Sequence, residues 1–304
     1  LAYHGDLATH KILILAPVAD NHSPAKQTFF AVPDYAAVAL EGVDATAFAH
    51  AQFANDVTGL APGHWHWNAW LTPKGRVIAV FALLKLAEDR LLLILLDHPA
   101  DEFATQLRRF VFRRKLKIET LPDWHVSGAL IEPEIASGAQ IAQKDDGIEL
   151  DFSGHGGARC LRIAASSTAP EPSSTQEWAA YDLRHGLPRL SAAQREQWTP
   201  QQLSLDRLQA YSVKKGCYPG QEIVARTHFL GKAKRGLALF EADTTVLPGA
   251  PVSDGSRDIG EIVSALPGDT PLALAVLPLD RPPGALNADA IPLQEVALQG
   301  GLAR

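Results

Sequence analysis

Apolar and polar positions alternate from Phe29 to Leu40 with the two-residue period of a strand, predicting one strand that ends at Glu41-Gly42. Asp44 then has the short acceptor side chain of a helix N-cap, and Ala45 to Asn55 reads as the helix body. His64 to Leu71 alternates again and carries Trp65, Trp67 and Trp70, which suit a strand. Pro73-Lys74-Gly75 turns it into the apolar run Val77 to Ala87, and Glu88-Asp89-Arg90 turns that run into Leu91 to Leu96. These two runs predict a buried hairpin, since neither approaches the ~20 residues of a membrane span. Asp97 is placed to cap a helix from Pro99 to about Phe110, and Arg114 to Glu119 returns as a strand. Strand, helix, hairpin, helix, strand is an α+β order, expected to give an antiparallel sheet with helices on one face.

A second pass starts near Trp124 with the apolar stretch from Val126 and continues through Leu161-Arg162-Ile163. The Ser/Thr/Ala/Pro stretch Ala164 to Pro172 reads as an exposed connection. Ser174 and Glu177 have capping-box spacing, the helix they open carries Trp178 and Tyr181, and Gly186 with Pro188 ends it. After Lys232 short strands are punctuated by glycine and proline (Arg235 to Phe240, Ile259 to Ser264, Leu272 to Leu277), the pattern of a small β-barrel. The expected division is 1–122 and 123–231 for two α+β units and 232–304 for the barrel.

Composition narrows the function classes. A chain of 304 residues that is 46% apolar can bury a large core. Its net charge of −6 argues against a general polyanion-binding surface, so direct nucleic-acid binding is not expected. The basic clusters Arg108 to Lys117 and Lys232, Lys234, Arg235 read as solvated faces. Cys160 and Cys217 are too sparse for a disulfide framework, and no leader pattern opens the chain, which together point to a reducing cytoplasm and no membrane. His64 and His66 share a strand face, but no third ligand has recognisable spacing alongside His50 or His155, so no metal site is expected. Gly154-His-Gly-Gly lacks the lysine of a phosphate loop and reads as a turn.

The candidate chemistry lies in Lys214 to Glu222, Lys-Lys-Gly-Cys-Tyr-Pro-Gly-Gln-Glu. Pro219-Gly220 is the pair a type II turn favours, because proline pre-sets its own φ and glycine takes the positive φ that follows. Gly220 to Arg226 reads as the start of a helix whose free N–H groups face the thiol of Cys217, and Lys214 and Lys215 add positive charge. Each of these favours thiolate, hence a nucleophilic, oxidisable or metal-binding sulfur. A small structural residue in a tight turn is the competing explanation.

The block Lys215 to Glu222 resembles the K-G-C-[YF]-x-G-Q-E signature of the YgfZ family, folate-binding relatives of the glycine-cleavage T-protein that support iron–sulfur enzymes. Arg226, Thr199-Pro200-Gln201, the Q-x-x-N-D-V-like Gln52 to Val57 and the K-G-[KR]-like Lys74-Gly75-Arg76 extend the likeness over roughly residues 28 to 240. The resemblance implies a T-protein-like fold of two ferredoxin-like units and a barrel around a folate channel. It further implies tetrahydrofolate or a one-carbon derivative as cofactor, with Tyr35 and Trp178 as aromatics at the folate. Asn55 and Asp56 would either hydrogen-bond the pterin or simply terminate their helix, and Gln221, Glu222 and Arg226 would hold the loop and line the channel mouth. Cys217 with Lys215 would carry redox, sulfur or transient iron–sulfur cluster chemistry, and the expected partners are iron–sulfur enzymes or assembly proteins, including those that modify tRNA. T-proteins carry an acidic residue after the turn matching Lys74-Gly75, whereas Val77-Ile78-Ala79-Val80 has none. The alternative function, folate-dependent one-carbon transfer or demethylation, therefore lacks its expected carboxylate.

Overall fold

In the computed structural model, residues 28–144, 146–231 and 233–304 are described. Lys232 and the first 27 residues of the first expected unit lie outside them. The first unit comprises β1 (Phe30–Ala31), β2 (Ala36–Glu41), α1 (Ala45–Gln52), β3 (His64–Leu71), β4 (Val77–Ala87), β5 (Arg90–Leu95), α2 (Ala100–Arg108) and β6 (Lys117–Thr120). The single strand expected over 29–40 is two, because Pro33-Asp34 makes a turn closed by the Tyr35 N–H on the Val32 carbonyl at 3.2 Å. Proline has no N–H for a ladder, so the pairing changes there. β2 runs between β5 and β6 in the antiparallel sheet β3-β4-β5-β2-β6, whereas β1 pairs with a strand of the second unit.

This sheet is buried on both faces, which explains its nearly continuous apolar runs. Phe81 and Leu83 pack under α1 and α2 with Phe48 and Phe103. Their neighbours Val80, Ala82 and Leu84, with Trp65 and Trp67, face the second unit. The helix caps differ from expectation. Neither Asp44 nor Pro99, the cap residues found, makes a side-chain cap bond. The Asp44 carboxylate instead accepts from the Lys115 N–H at 2.6 Å, and the half-buried Asp97 carboxylate accepts from the Leu190 N–H. Both are used to tie distant segments down rather than to start helices.

The second unit has β7 (His125–Ala129), β8 (Ala142–Lys144), β9 (Gly147–Asp151), β10 (Cys160–Ala164), α3 (Pro172–Arg184) and α4 (Gln221–Phe229). Its antiparallel sheet runs β1-β7-β10-β9-β8. α3 starts earlier than the Ser174–Glu177 spacing suggested: Glu171 caps it by accepting from the Ser173 and Ser174 N–H groups, with Pro172 just inside. Its end is as expected, Gly186 taking φ +69° while the Leu187 N–H returns to the Asp182 carbonyl.

β11 (Arg235–Ala242), β12 (Pro251–Ser253), β13 (Asp258–Leu266), β14 (Leu272–Pro278), β15 (Leu286–Ala288) and β16 (Ile291–Val296) form a barrel that β11 and β16 close. Beyond it, residues 297–304 return to the other two units. The His155 N–H donates to the Gly300 carbonyl and the Trp67 indole N–H to the Leu302 carbonyl. No helix among the described residues is long and apolar enough to cross a membrane.

The units meet around a buried ion pair. Arg159 donates to Asp182 at 2.6 Å, both side chains fully buried, and the second carboxylate oxygen of Asp182 accepts from the Tyr35 hydroxyl. Truncating one member of such a pair strands the other charge in the interior. Arg159→Met should therefore lower stability by about 3 kcal/mol or more, read as a drop in the urea midpoint with an unchanged slope; a loss within experimental error would mean that the pair is dispensable.

Candidate functional site

Cys217 is exposed, on a loop whose backbone is fixed at several points. Gly220 has φ +79° and ψ 0°, and the Gln221 N–H reaches the Tyr218 carbonyl at 3.1 Å. These are the angles and the bond of a type II turn over Tyr218 to Gln221, and α4 follows directly. The Gln221 carboxamide donates back to the Lys215 carbonyl, and the Tyr218 hydroxyl donates to that of Ser212. Ser212 is itself bound through its N–H to the Ala54 carbonyl.

The segments that carried the sequence resemblance converge on this loop. The Lys215 ammonium donates to the carbonyls of His50, Phe53 and Asn55, which closes the C-terminal end of α1. A β-carbon on Gly220 would stand 2.6 Å from the Gly75 α-carbon and 2.7 Å from the Thr72 carbonyl oxygen, so the Lys74-Gly75 turn and the Pro219-Gly220 turn touch backbone to backbone. Arg76 donates to the Gln197 carbonyl and the Gln202 side chain, and Gln201 donates to the Val224 carbonyl on α4. Asn55 bridges two segments, donating to the Trp67 and Gln209 carbonyls.

Beside this junction lies a cavity of about 1100 Å³. Asn55, Asp56 and His66 come from the first unit, Gln201, Tyr211 and Thr227 from the second, and Arg235, Leu237 and Leu279 from the barrel and the residues after β14. The returning C-terminal segment adds Leu298 and Arg304, whose guanidinium lies over the Trp65 ring. The Gly59 N–H and Thr58 hold the Asp56 carboxyl below its usual range, so it is a fixed negative charge. Burial pushes His66 down to about 4, so it is neutral at pH 7, and one of its ring nitrogens faces the Asn68 carboxamide. The wall thus offers a carboxylate, a neutral imidazole, carboxamides and the half-buried Tyr211 ring, flanked by Arg207, Lys214 and Arg235.

Tyr35 and Trp178 do meet, but in the core. The Trp178 N–H donates to the Tyr35 hydroxyl at 3.2 Å, and neither residue borders the cavity. Trp178 is 1% exposed, Arg159 covers its ring at 4.4 Å, and a β-carbon on Gly128 would lie 2.8 Å from its ring carbons. As packed here Trp178 offers no open ring face, whereas Tyr35 borders a separate cavity of about 350 Å³. Lys215 also differs from expectation: its charge is committed to α1 rather than to the thiol. Arg226 lies in an adjoining cavity, while Glu222 is exposed and borders neither. Among the described residues no group of three or more His, Cys, Asp or Glu is placed to hold a metal ion, and Cys160 is buried, which pushes its thiol up to about 12. His66 and Tyr211 were missed as site residues. His66 sits in a strand pattern that reads as packing, and nothing in sequence sets Tyr211 apart from a core aromatic.

Burial pushes the Lys215 ammonium down from 10.5 to about 8, against the opposing pull of Asp56. Its buried charge costs the folded state most below about pH 8, where both states hold the proton. That cost is relieved as pH rises towards 10.5, because the folded chain releases its proton first. The stability gap between wild type and Lys215→Met should accordingly widen in favour of wild type across this window, measured by urea unfolding at a series of pH values; a flat gap would contradict it.

No protein-family model matches the chain. An uncharacterized protein of Haemophilus influenzae is 28% identical over 219 residues, 71% of this chain and 74% of that protein. The crystal structure of glycine cleavage system aminomethyltransferase T from Bartonella henselae superposes with a TM-score of 0.67 at 16% identity, covering 90% of this chain and 87% of that one. Two antiparallel sheets, a closed C-terminal barrel and this superposition together give the chain the fold of the glycine-cleavage T-protein.

Proposed function

We propose that this chain binds a tetrahydrofolate in the central cavity and, through Cys217 on the neighbouring loop, supports iron–sulfur enzymes, including those that modify tRNA. The observation that carries the folate half is a three-unit cavity in a T-protein fold, lined by Asn55, Asp56 and Gln201 from two of the resembling segments and lying beside the junction where the other two meet. At about 1100 Å³ the space is at the large end for a ligand pocket. Its chemistry suits a flat heterocycle with polar edges and an anionic tail. Tyr211 and the leucines supply apolar surface, Asn55, Asp56 and His66 supply hydrogen-bonding groups, and Arg207, Lys214 and Arg235 supply positive charge. A folate bound there would bring a carrier of one-carbon groups next to the loop.

The iron–sulfur half rests on the sequence block and on the exposed thiol. One thiolate cannot fill the four positions of a cluster, and the described residues offer no companion ligands, so a resident cluster does not fit. Cys217 would act on a cluster or sulfur held by a partner. Aminomethyl transfer by the T-protein route is less well supported, because Val77 to Val80 form the buried start of β4 and present no carboxylate.

Two measurements test this. A stable reduced folate, titrated calorimetrically, should bind saturably. Tyr211→Ala should weaken binding about tenfold, the size expected for losing an aromatic stacking face, whereas Trp178→Phe should leave affinity intact; the reverse pattern would place the ligand in the core. Cys217→Ser should fold and bind folate like wild type, since the turn is set by Gly220 and the loop's own hydrogen bonds. In a strain lacking its own counterpart it should fail to restore iron–sulfur-dependent tRNA thiolation, because a hydroxyl cannot replace a soft thiolate. Full complementation would remove Cys217 from the mechanism.

A further inference from the structure

By sequence the basic cluster between α2 and β6 is a solvated face, but its folded form sorts its residues. Residues 108–117 read Arg-Arg-Phe-Val-Phe-Arg-Arg-Lys-Leu-Lys, and no Asp or Glu occurs from 103 to 118. Val111 and Leu116 pack on the core under α1 and α2, whereas Phe110 is 49% and Phe112 77% exposed. Phe110 keeps an edge contact with Trp70, and the Arg113 guanidinium lies 5.2 Å from the centre of the Phe112 ring. The loop that displays them is tied down. The N–H groups of Phe110, Val111 and Arg114 donate to the Leu107, Arg108 and Val111 carbonyls, and the Asp44 carboxylate holds the Lys115 N–H. A β-carbon on Gly42 would strike the Lys115 carbonyl and the Leu116 α-carbon, so the turn after β2 abuts the loop. That turn adds Val43, 75% exposed. Apolar surface held in water by a fixed backbone is released from that cost only by something outside the chain.

The charges are equally uncovered. Arg108 is turned onto the Ile118 carbonyl, Arg114 lies 3.9 Å from Asp44, and Lys117 stands opposite Glu41 on β2. Arg109, Arg113 and Lys115 are exposed, and among the described residues their side chains make no ion pair or hydrogen bond. In a chain of net charge −6 this cluster does not follow from a general excess of basic residues. No residue from 108 to 117 lines the central cavity, its neighbour or the three smaller ones, so the patch is a surface and not a pocket.

The partner must be anionic and must also accept exposed apolar side chains. Single-stranded nucleic acid is held in grooves that track its backbone and stacks its bases on open aromatic faces. Here there is no groove, Arg113 lies against the Phe112 ring, and Val43 has nothing to stack. A bilayer with acidic headgroups meets both demands at one plane, since its phosphates pair with Lys and Arg while Phe and Val enter the boundary between headgroups and acyl chains. An Arg beside the inserted ring keeps its guanidinium at phosphate level while its stem follows the ring inward.

We propose that the loop 108–117, with Val43, docks this protein peripherally on an anionic lipid surface. Phe110 and Phe112 enter the headgroup layer, and Arg109, Arg113 and Lys115 bind lipid phosphates. The remaining surface, carrying the excess negative charge, is repelled by the same lipids, so docking takes place through this face alone.

The test is co-sedimentation of the whole chain with vesicles of phosphatidylcholine alone or with about 30% phosphatidylglycerol. Wild type should bind the anionic vesicles at ~0.05 M salt, lose most of that binding at ~0.5 M, and leave the neutral vesicles unbound. Arg113→Gln with Lys115→Gln should weaken binding at least about tenfold, at a few-fold for each charge near the surface. Phe112→Ser should weaken it about fivefold through lost apolar insertion alone. Melting temperatures like that of wild type would show that the fold is kept, as expected for exposed side chains. Absence of binding to anionic vesicles at low salt overturns the proposal, and so does equal binding by wild type and Phe112→Ser, which would leave only diffuse attraction. A gel-shift complex with tRNA that the double charge variant loses, in a protein that ignores vesicles, would make the patch a nucleic-acid surface and likewise overturn it.

Discussion

One buried ammonium fixes the geometry of the site. Lys215 reaches from the cysteine loop to the end of α1 and satisfies the His50 carbonyl in its last turn and the Phe53 and Asn55 carbonyls just beyond it. The bond set spans two segments about 160 residues apart in the chain, and it holds Asn55 where its carboxamide bridges β3 to the Gln209 loop. The contact between Gly75 and Gly220 acts in the same direction with sterics instead of charge. At Gly220 an added β-carbon would strike backbone, which cannot swing aside as a side chain can. Together these constraints keep an exposed thiol next to a preformed cavity.

The cavity exists because three bodies meet without filling the space between them. The first sheet closes its inner face against the second unit, and residues 297–304 are drawn back from the barrel by the Trp67 indole and the His155 amide. That returning segment places Arg304 over Trp65, which leaves Tyr211 as the aromatic face on the cavity side. Polar groups remaining in the wall are held in definite states. Asp56 is kept charged by the N–H of Gly59, and His66 is kept neutral by burial. A ligand therefore meets donors and acceptors whose protonation is set before it arrives.

Aromatic residues were divided between structure and site by what packs on their faces. Trp178 lies among Arg159, Phe152 and Gly128, and its N–H is part of a chain running through Tyr35 to Asp182. A guanidinium over an aromatic face is attractive in itself, and the same guanidinium neutralises the buried carboxylate. The pair Tyr35–Trp178 thereby joins the first unit to the second.

By itself the sequence determined what depends on neighbours along the chain. The strand, helix, hairpin, helix, strand order, the barrel strands after residue 232, the end of α3 at Gly186 and the Pro219-Gly220 turn all follow from local periodicity and from residues with restricted or permissive φ. The block around Cys217 and its three companion segments were legible as separate motifs. Tertiary structure alone decided what they do to one another. It showed that Lys215 points to α1 and not to the thiol, since nothing in Lys-Gly-Cys says where a flexible four-carbon side chain finds its acceptors. Asp44 and Asp97 became ties to Lys115 and Leu190 instead of caps, because a backbone N–H brought in from a distant segment competes for the same carboxylate. Phe30 and Ala31 joined the second sheet once Pro33 interrupted the first ladder. A tryptophan at a motif position carries no sign of which groups will cover its faces, so Trp178 was read as ligand-facing, while Tyr211 and His66 at the cavity became visible only when three units were folded around one space.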